Sequence, residues 1–470
     1  ASYREKQIEK GEKTMKRSTK KGFTIVELVI VIAIIAILAA VLIPTFASLI
    51  QKANESNDIQ AAKNMNTFLA AANVTGDVKS ILDVYDLFDE SGYAVENYTP
   101  LYKDRYYYYD KGYNQILYVD SEGIVLYPTE HKGEKKGERN WMSLSIEAPK
   151  ADTSVKFSES AKTVTVETAA QFAGAVESFK AQTAGEYEIK VKGTIDMMGG
   201  NCVIDKVASG ITLKITGESG AVIKNITNNK TLLRTKSGSN VNEANYNAVA
   251  LIGSVAAGGH VEISNITFEN LNVKTLDGGN VGLLVGDVDK TDVEKAKDAK
   301  AVVKIENVTI KDSSLIGHRN AGALIGQISG YNGSSDYAPT VSISGIELDN
   351  VSVKTVGGRS ALVVGLIENG YGTAKGTTTI DKVTVKDNCT FGIYNNAASK
   401  QEFKTETTAG GKTYKDAEKS ITSVKDLSKG DTATYCHKDG ALFLIQTGEN
   451  EYTFFTDVDS AKNALTSTGN

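Results

Sequence analysis

Proline and cysteine are scarce in this chain, with 5 Pro and 3 Cys among 470 residues, whereas Gly occurs 43 times. The cysteines, at 202, 389 and 436, are odd in number and form no Cys-x-x-Cys pair, so the sequence indicates neither a disulfide framework nor a zinc site. The 4 histidines show no metal-ligand spacing, and no Walker, Rossmann or catalytic-triad signature occurs. The sequence therefore predicts no cofactor, no metal and no enzymatic activity.

Charge is unevenly distributed along the chain. The net charge is −5, but residues 1–22 carry +5 and the remainder carries −10. A basic leader held on the cytoplasmic side of a membrane and an acidic exported body would have this asymmetry. It argues against nucleic acid as a partner. The length predicts more than one domain, since domains usually run to ~100–200 residues.

A long apolar run at residues 23–43 contains a single ionisable side chain, Glu27. About 20 apolar residues in a helix span a bilayer, and the run is longer than the ~7–15 apolar residues of a cleavable signal peptide. An acid inside such a span costs roughly 2–3 kcal/mol at the helix centre, which makes Glu27 a functional candidate in need of a cation. Cleavage between Gly22 and Phe23 would supply one, the new α-ammonium group of Phe23.

Residues 20–28 read Lys-Lys-Gly-Phe-Thr-Ile-Val-Glu-Leu, and with the apolar run they resemble the N-terminus of type IV pilins and pseudopilins. The resemblance implies that a prepilin peptidase cleaves after Gly22 and that Phe23 becomes an N-methylated terminus. It implies that Glu27 neutralises an N-terminal ammonium group during filament assembly. Pro44 matches a helix-kinking proline of that family. The implied partners are other pilin subunits, the membrane before assembly, and the peptidase.

The segment before the motif has two interpretations. Met15 starts a short basic leader of the prepilin kind, and the codons for Lys10, Gly11 and Glu12 can spell a purine-rich ribosome-binding site. Residues 1–14 would then be untranslated upstream sequence, and the alternative is a longer leader spanning 1–22. The nucleotide sequence decides between these alternatives.

An α+β pilin-like part is predicted for residues 23–148. Apolar residues recur at steps of three or four after Pro44, which predicts one long helix from about residue 24 to about residue 72, within a helical segment 23–75. A head at 76–148 would follow, with a helical stretch at 78–88 and a three-strand meander at 105–109, 115–119 and 124–127. Its tyrosines suit half-buried strand faces better than a binding face. Residues 131–140 are predicted to be a linker or an exposed loop.

Residues 149–399 repeat a β pattern. Short alternating strand pairs occur at 261–268, 303–310, 341–348 and 378–385. A four-residue element, here called Leu-x-x-Gly although it begins with Leu at 283 and 362 and with Ala at 250 and 323, recurs with its glycines 33, 40 and 39 residues apart, at 253, 286, 326 and 365. Such a period predicts an all-β solenoid, a right-handed parallel β-helix in which each glycine allows a tight corner. The element resembles the Gly-Leu-Val-Gly repeats of bacterial surface β-solenoids. Residues 400–470 leave the repeat and are predicted to be a cap or a small appended domain.

Inserts at 289–299, 329–338 and 368–376 follow the Leu-x-x-Gly strands, so they should emerge from one edge of the solenoid, a usual place for binding. Two of them carry the aromatic and amide side chains that sugar-binding surfaces use, although surface loops carry them too. The candidate ligand-binding residues are Tyr331, Asn332, Tyr337, Asn369 and Tyr371.

Enzymatic and metal-binding alternatives rest on few residues. Asp287, Asp289 and Asp292 form the best acidic cluster, and loose spacing favours a solvated loop over a calcium site. Arg319 and Arg359 occupy nearby points of successive repeats. They could pair in an anion site, or they could be structural residues. Paired carboxylates at glycosidase spacing are not evident in the repeated strands.

Three hypotheses follow for function. The favoured one is a minor or tip subunit of a type IV pilin-like filament that displays an adhesive solenoid for a glycan or host ligand. It would be a single-pass membrane protein before assembly and extracellular afterwards. The alternatives are a surface-tethered carbohydrate-active β-helix enzyme and a pseudopilin of a secretion or DNA-uptake machine. The sequence names neither the ligand nor the organism.

Overall fold

The computed structural model describes residues 25–71, 84, 87–88, 100–135, 141–144, 149–229, 249–275, 279–291, 299–395, 401–426 and 431–466. The described chain divides into two compact units, one ending at Asn57 and the other beginning at Asp58. The predicted leader, with Gly22 and Phe23, lies outside the described residues.

A single helix, α1 (Ile25–Ala71), forms the start of the described chain and confirms the long helix predicted from the sequence. It continues through Pro44 without interruption, and the predicted local kink there stays a prediction. Between Ile25 and Ile50, sixteen large apolar side chains are exposed. Among the described residues, no helix meets the length and apolarity expected of a bilayer-spanning segment.

The second unit opens with an antiparallel sheet of four strands in the order β3-β2-β1-β4. The strands are β1 (Tyr106–Asp110), β2 (Gln115–Val119), β3 (Val125–Tyr127) and β4 (Trp141–Ser143). The first three are the predicted meander. The fourth was not predicted, because three residues give no usable alternation. A 3-10 helix, Thr129–His131, stands at the start of the predicted linker.

We call this sheet, together with residues 58–71 of α1, the head. Asp58 joins its two parts, since its carboxylate accepts hydrogen bonds from the Leu101 and Tyr102 amides at 2.7 and 2.9 Å and from the Tyr118 hydroxyl at 3.2 Å. Ala62, Met65 and Leu69 of α1 share a buried apolar cluster with alternate side chains of the sheet. Of the tyrosines predicted to be half-buried in these strands, Tyr106 and Tyr127 are so, whereas Tyr107, Tyr108, Tyr109 and Tyr118 are almost fully buried.

Parallel strands dominate the rest of the chain. The helices are α2 (Ala169–Lys180) and α3 (Val458–Leu465), with a 3-10 helix at Gly372–Ala374. The strands are β5 (Thr163–Val166), β6 (Gly185–Val191), β7 (Thr194–Gly199), β8 (Ile204–Val207), β9 (Ile211–Gly217), β10 (Val222–Asn229), β11 (Ile252–Val255), β12 (His260–Ser264), β13 (Thr267–Lys274), β14 (Asn280–Gly282), β15 (Val285–Val288), β16 (Val302–Gly317), β17 (Arg319–Gly322), β18 (Ile325–Ile328), β19 (Thr340–Thr355), β20 (Val364–Ile367), β21 (Thr378–Val385), β22 (Thr390–Ile393), β23 (Glu402–Lys404), β24 (Thr408–Ala409), β25 (Lys412–Lys415), β26 (Lys419–Asp426), β27 (Asp431–His437), β28 (Phe443–Gly448) and β29 (Glu451–Phe455).

Two long sheets hold most of these strands. In the 11-stranded sheet, Leu213, Val261, Val303 and Val341 stand in register on successive parallel strands, one in each repeat. The 9-stranded sheet contains the Leu-x-x-Gly strands, from β8 through β11, β15, β18 and β20 to β28. This arrangement is compatible with a β-helix, whose handedness stays a prediction. The inward stacks of Val, Ile and Leu form one continuous core.

The strands of the 11-stranded sheet bend at left-handed residues. The first bend carries Asn265, Asn307, Gly345 and Lys382 in successive repeats, all at φ between 51 and 66°. The second bend carries Asn225, Asn270, Asp312 and Asn350, at φ between 50 and 61°. Asn and Asp tolerate this region because their short side chains bond locally. The Asn side chains also hydrogen-bond between repeats, for example from Asn270 Nδ2 to Asn225 Oδ1 at 2.7 Å.

The prediction that the Leu-x-x-Gly glycines form tight corners is wrong. Gly253, Gly326 and Gly365 lie inside strands β11, β18 and β20, and none has a positive φ. A Cβ on Gly326 would lie 2.5 Å from the Val281 amide nitrogen, and one on Gly365 would lie 2.5 Å from the Gly326 carbonyl oxygen. The short pair β14–β17 packs against these strands, and glycine permits that close approach of two backbones.

The C-terminal residues complete the parallel core. Strand β28 pairs in parallel with β20, and β29 and β25 continue the 9-stranded sheet beyond it. Helix α3 lies beside β21, where the Gly376 amide donates to the Leu465 carbonyl at 2.8 Å and Lys462 pairs with Asp381 at 2.7 Å. Strands β23, β26 and β27 form a separate antiparallel sheet.

Candidate functional site

Glu27 lies in the first described turn of α1. Gly22 and Phe23, the predicted cleavage residues, lie outside the described residues, and so does the side chain of Pro44. The described geometry therefore places the acid in α1 and leaves its assembly role a prediction.

The apolar residues around Glu27 cover every side of the helix. Val26 and Leu28 flank it in sequence with 67 and 54% of their surfaces exposed. Of the eighteen large apolar side chains that are exposed in the described chain, sixteen belong to this helix between Ile25 and Ile50. Soluble surfaces rarely leave so much contiguous apolar surface uncovered, so the helix is built for an apolar environment or for contact with other chains.

The second candidate site is the edge formed by residues 329–338 and 368–376, which we call the loop edge. The Tyr331 and Tyr337 rings meet edge to face with their centroids 5.2 Å apart, and Lys290 Nζ lies 4.8 Å from the Tyr331 centroid. All three predicted tyrosines are partly exposed, and Asn332 is exposed at φ 46°. The structure thus brings Tyr331 and Tyr337 together on one surface, and their role in binding stays a prediction.

Backbone hydrogen bonds hold the two inserts against each other and against the preceding repeat. The Ala374 amide donates to the Gly333 carbonyl at 2.9 Å, and the Thr291 amide donates to the Tyr337 carbonyl at the same distance. Gly333 has φ +65°, and a Cβ there would stand 2.6 Å from the Tyr371 ring. Tyr371 therefore packs on the neighbouring insert, so the loop edge is pre-organised in this structure.

Asn369 is placed differently from the other candidates. It is fully buried, and its Nδ2 lies 3.4 Å from the Thr378 hydroxyl. The residue therefore braces the base of its insert, and its side chain does not face solvent. Sequence reasoning missed Lys290 and Gly333, because each lies in a different repeat from the ring that it contacts.

The acidic cluster is split by the structure. Asp287 belongs to β15 and Asp289 follows it, whereas Asp292 lies outside the described residues. Burial, and then the charges of Asp289 and Glu368, raise the pKa of Asp287 to about 7 against hydrogen bonds from Asn280 and Ser329 that lower it. Lys206 lies 3.8 Å from Asp289. No three His, Cys, Asp or Glu side chains of the described chain are placed to hold a metal ion.

The two candidate arginines have different contacts in the described chain. Arg359 is 8% exposed, lies 3.6 Å from Glu368, and donates to the Tyr452 hydroxyl at 3.3 Å. Arg319 belongs to β17 and pairs in register with Asn280. Arg359 therefore links a Leu-x-x-Gly repeat to the C-terminal strands, which is a structural use.

Comparison with known proteins bears on the N-terminus. A family model described as a prokaryotic N-terminal methylation motif matches residues 17–43. That match covers the predicted cleavage residues, Glu27 and the apolar run, so the chain has a type IV pilin-like N-terminus. Such a motif implies processing by a prepilin peptidase, a membrane-anchored precursor and assembly with other pilins. No solved structure matches the chain.

Proposed function

We propose that this chain is a minor or tip subunit of a type IV pilin-like filament that presents an adhesive β-solenoid at the bacterial surface. The observation that carries the proposal is the methylation motif at residues 17–43, continued by a helix whose apolar side chains are exposed all round. Before assembly the hydrocarbon core of the membrane would cover residues 23–43, and in the filament neighbouring helices would do so.

The proposed mechanism of assembly uses the charge of Glu27. Cleavage after Gly22 leaves an ammonium group on Phe23, four residues before the acid in the chain. A charge in an apolar surrounding is stable only when it is paired. In a filament, Glu27 of one subunit would neutralise an N-terminal ammonium and so select subunits that have been processed.

The proposed display function rests on the size and order of the second unit. The parallel sheets carry a loop edge in which two tyrosines contact each other and neighbouring inserts are braced by backbone hydrogen bonds. Aromatic faces with adjacent polar groups suit stacking against sugar rings, so a glycan is the proposed ligand class. A bulky unit of this size suits a tip better than a densely packed shaft.

Glu27→Ala tests the assembly role. We expect the variant to be made and cleaved but to enter pili at least about tenfold less than the wild type, because a lost ion pair of over ~1.4 kcal/mol has that effect on an equilibrium. Quantitative immunoblots of sheared pili and of membranes measure it. Glu55→Ala, which removes a charge further along α1, is the control. Unchanged incorporation of Glu27→Ala would refute the filament role, and mass spectrometry of the mature chain should find N-methyl-Phe at position 23.

A second experiment separates adhesion from catalysis. We propose a non-enzymatic role, so the full chain should bind one or more glycans on an array and release no new reducing or unsaturated ends from them. Cleavage of a bound glycan would favour the carbohydrate-active alternative. Localisation of the protein to a periplasmic secretion or DNA-uptake machine would favour the pseudopilin alternative.

A further inference from the structure

A closed ring of hydrogen bonds lies where β14 and β17 cover the Leu-x-x-Gly strands. Asn320 Nδ2 donates to Asn280 Oδ1 at 2.7 Å and also to Gln327 Oε1. Gln327 Nε2 donates to Ser329 Oγ at 3.2 Å, and Ser329 Oγ donates to Asp287 Oδ1 at 3.3 Å. The Asn280 side chain also donates to Asp287, which closes the ring. Asp287 is its one ionisable member.

The ring is attached to the base of both inserts of the loop edge. Ser329 is the first residue of the insert that carries Tyr331 and Tyr337. The next amide, that of Gly330, donates to Glu368 Oε2 at 3.0 Å, and Gln327 Nε2 lies 3.3 Å from the same oxygen. Glu368 is in turn the first residue of the insert that carries Tyr371. A change at Asp287 therefore reaches both inserts through one or two hydrogen bonds.

A buried hydroxyl group, that of Ser254, belongs to the strand next to Asp287. Ser254 pairs in register with Asp287 on the adjacent parallel strand and is 4% exposed. Its hydroxyl oxygen has no hydrogen-bond partner among the described residues. An ionised carboxylate can only accept hydrogen bonds, whereas a protonated one can also donate. The Ser254 hydroxyl can donate to the ionised carboxylate or accept from the protonated one, so it can partner Asp287 in either state.

We propose that the ring around Asp287 is a proton-responsive anchor that tightens the loop edge when Asp287 is protonated and loosens it when Asp287 ionises. The hydrogen bonds from Asn280 and Ser329 favour the ionised form, but burial and the facing acids Asp289 and Glu368 outweigh them and favour the neutral form. Lys206 is paired with Asp289, and Arg359 is paired with Glu368. The meaning of this device for ligand binding rests on the proposed adhesive function.

The direction of the pH effect follows from linkage. The folded pKa of Asp287, about 7, lies above the value of ~3.9 for an unfolded aspartate, so the folded chain holds this proton more tightly. The stabilisation from the protonated ring is complete below the unfolded pKa and is lost as the pH rises through the folded pKa. Within the folded chain, the ring itself should change state with a midpoint near pH 7.

Hydrogen–deuterium exchange of the full chain tests the proposal without any ligand, so its outcome is independent of the adhesive role. After correction for intrinsic exchange, we expect peptides from 329–338 and 368–376 to exchange at least about threefold faster at about pH 9 than at about pH 5, with a midpoint near 7. Asp287→Asn, which keeps the shape and stays neutral, should abolish that dependence.

Two further variants keep the test decisive. Asp289→Asn should keep the dependence but lower its midpoint, because one repelling charge is removed, and it remains informative if Asp287→Asn fails to fold. Asp381→Asn removes an equal charge from the pair with Lys462 and should leave the profile unchanged. A flat wild-type profile, or a wild-type profile in Asp287→Asn, would overturn the proposal.

Discussion

Individual residues at the strand bends explain why a long sheet can turn repeatedly without proline. A left-handed backbone costs roughly 1–2 kcal/mol for most L-residues, and Gly, Asn and Asp escape most of that cost. The first bend obeys this rule at Asn265, Asn307 and Gly345 but departs from it at Lys382, which has φ 51° and an exposed side chain. The last repeat therefore contains a residue whose conformation is strained.

Lys382→Asn should raise the free energy of unfolding by about 1 kcal/mol, because asparagine accepts the left-handed conformation at lower cost. Thermal and urea midpoints of the full chain, compared with the wild type, measure the change. Lys375→Asn is the matched control, since Lys375 has φ −53° and gains nothing from the substitution. Equal shifts in both variants would show that charge, and not backbone strain, is responsible.

At the scale of elements, the pair β14–β17 determines why the Leu-x-x-Gly strands contain glycine. The backbones of β17 and β18 lie close to Gly365 of β20. A Cβ on Gly365 would lie 2.7 Å from the Ala321 carbonyl oxygen and 2.5 Å from the Gly326 carbonyl oxygen, so only a residue without a Cβ fits there. Backbone atoms of two packed strands cannot move aside as a flexible side chain can.

Gly365→Ala should therefore lower the free energy of unfolding by about 3 kcal/mol, near the upper end for overpacked cores. Denaturant titration followed by circular dichroism measures the loss. Gly392→Ala in β22 is the control, because its Cβ would meet only Asp439 Oδ1 at 3.9 Å and should change stability by less than ~1 kcal/mol. A tolerated Gly365→Ala would show that the β14–β17 pair is free to shift.

The elements that could be predicted are those whose residue pattern lies within one short stretch of sequence. Alternation of apolar and polar residues predicts the strands at 303–310 and 341–348, and the structure contains them in β16 and β19. Strands β4 and β14 have three residues each, too few for a period to show. The role of the repeated glycines was misassigned, because close approach between strands is a long-range contact.

The candidate sites show the same limit. The sequence placed Tyr331 and Tyr337 in one insert, but the contact between their rings is visible only in the structure. The hydrogen-bonded ring around Asp287 joins two repeats. Its one sequence signal is that Asn280 and Asn320 each precede a Leu-x-x-Gly element. The burial of Asn369 had no such signal, since a polar residue in a Gly-rich insert is usually exposed.

At the scale of the second unit, the head and the parallel sheets meet in two buried apolar clusters outside the parallel core. Ile316 and Val356, both 1% exposed, join the cluster that contains Met65 of α1 and Tyr107 of the head sheet. On the opposite face of that sheet, Met198 packs against the cluster of Tyr108 and Trp141. Parts that share buried surface unfold together, so the head is expected to melt with the sheets as one cooperative unit.

Ile316→Ala combined with Val356→Ala should break that cooperativity. Each truncation removes apolar contacts worth roughly 1–4 kcal/mol from the shared cluster while leaving the inward stacks of the parallel core intact. Calorimetry of the full chain should then show the single transition separating into two, with the head losing its structure at the lower temperature. Val351→Ala is the control, because Val351 is fully buried in the parallel core alone. Val351→Ala should lower the transition temperature without dividing the transition. If the double variant also shows a single transition, the head is held by contacts other than the side chains of Ile316 and Val356.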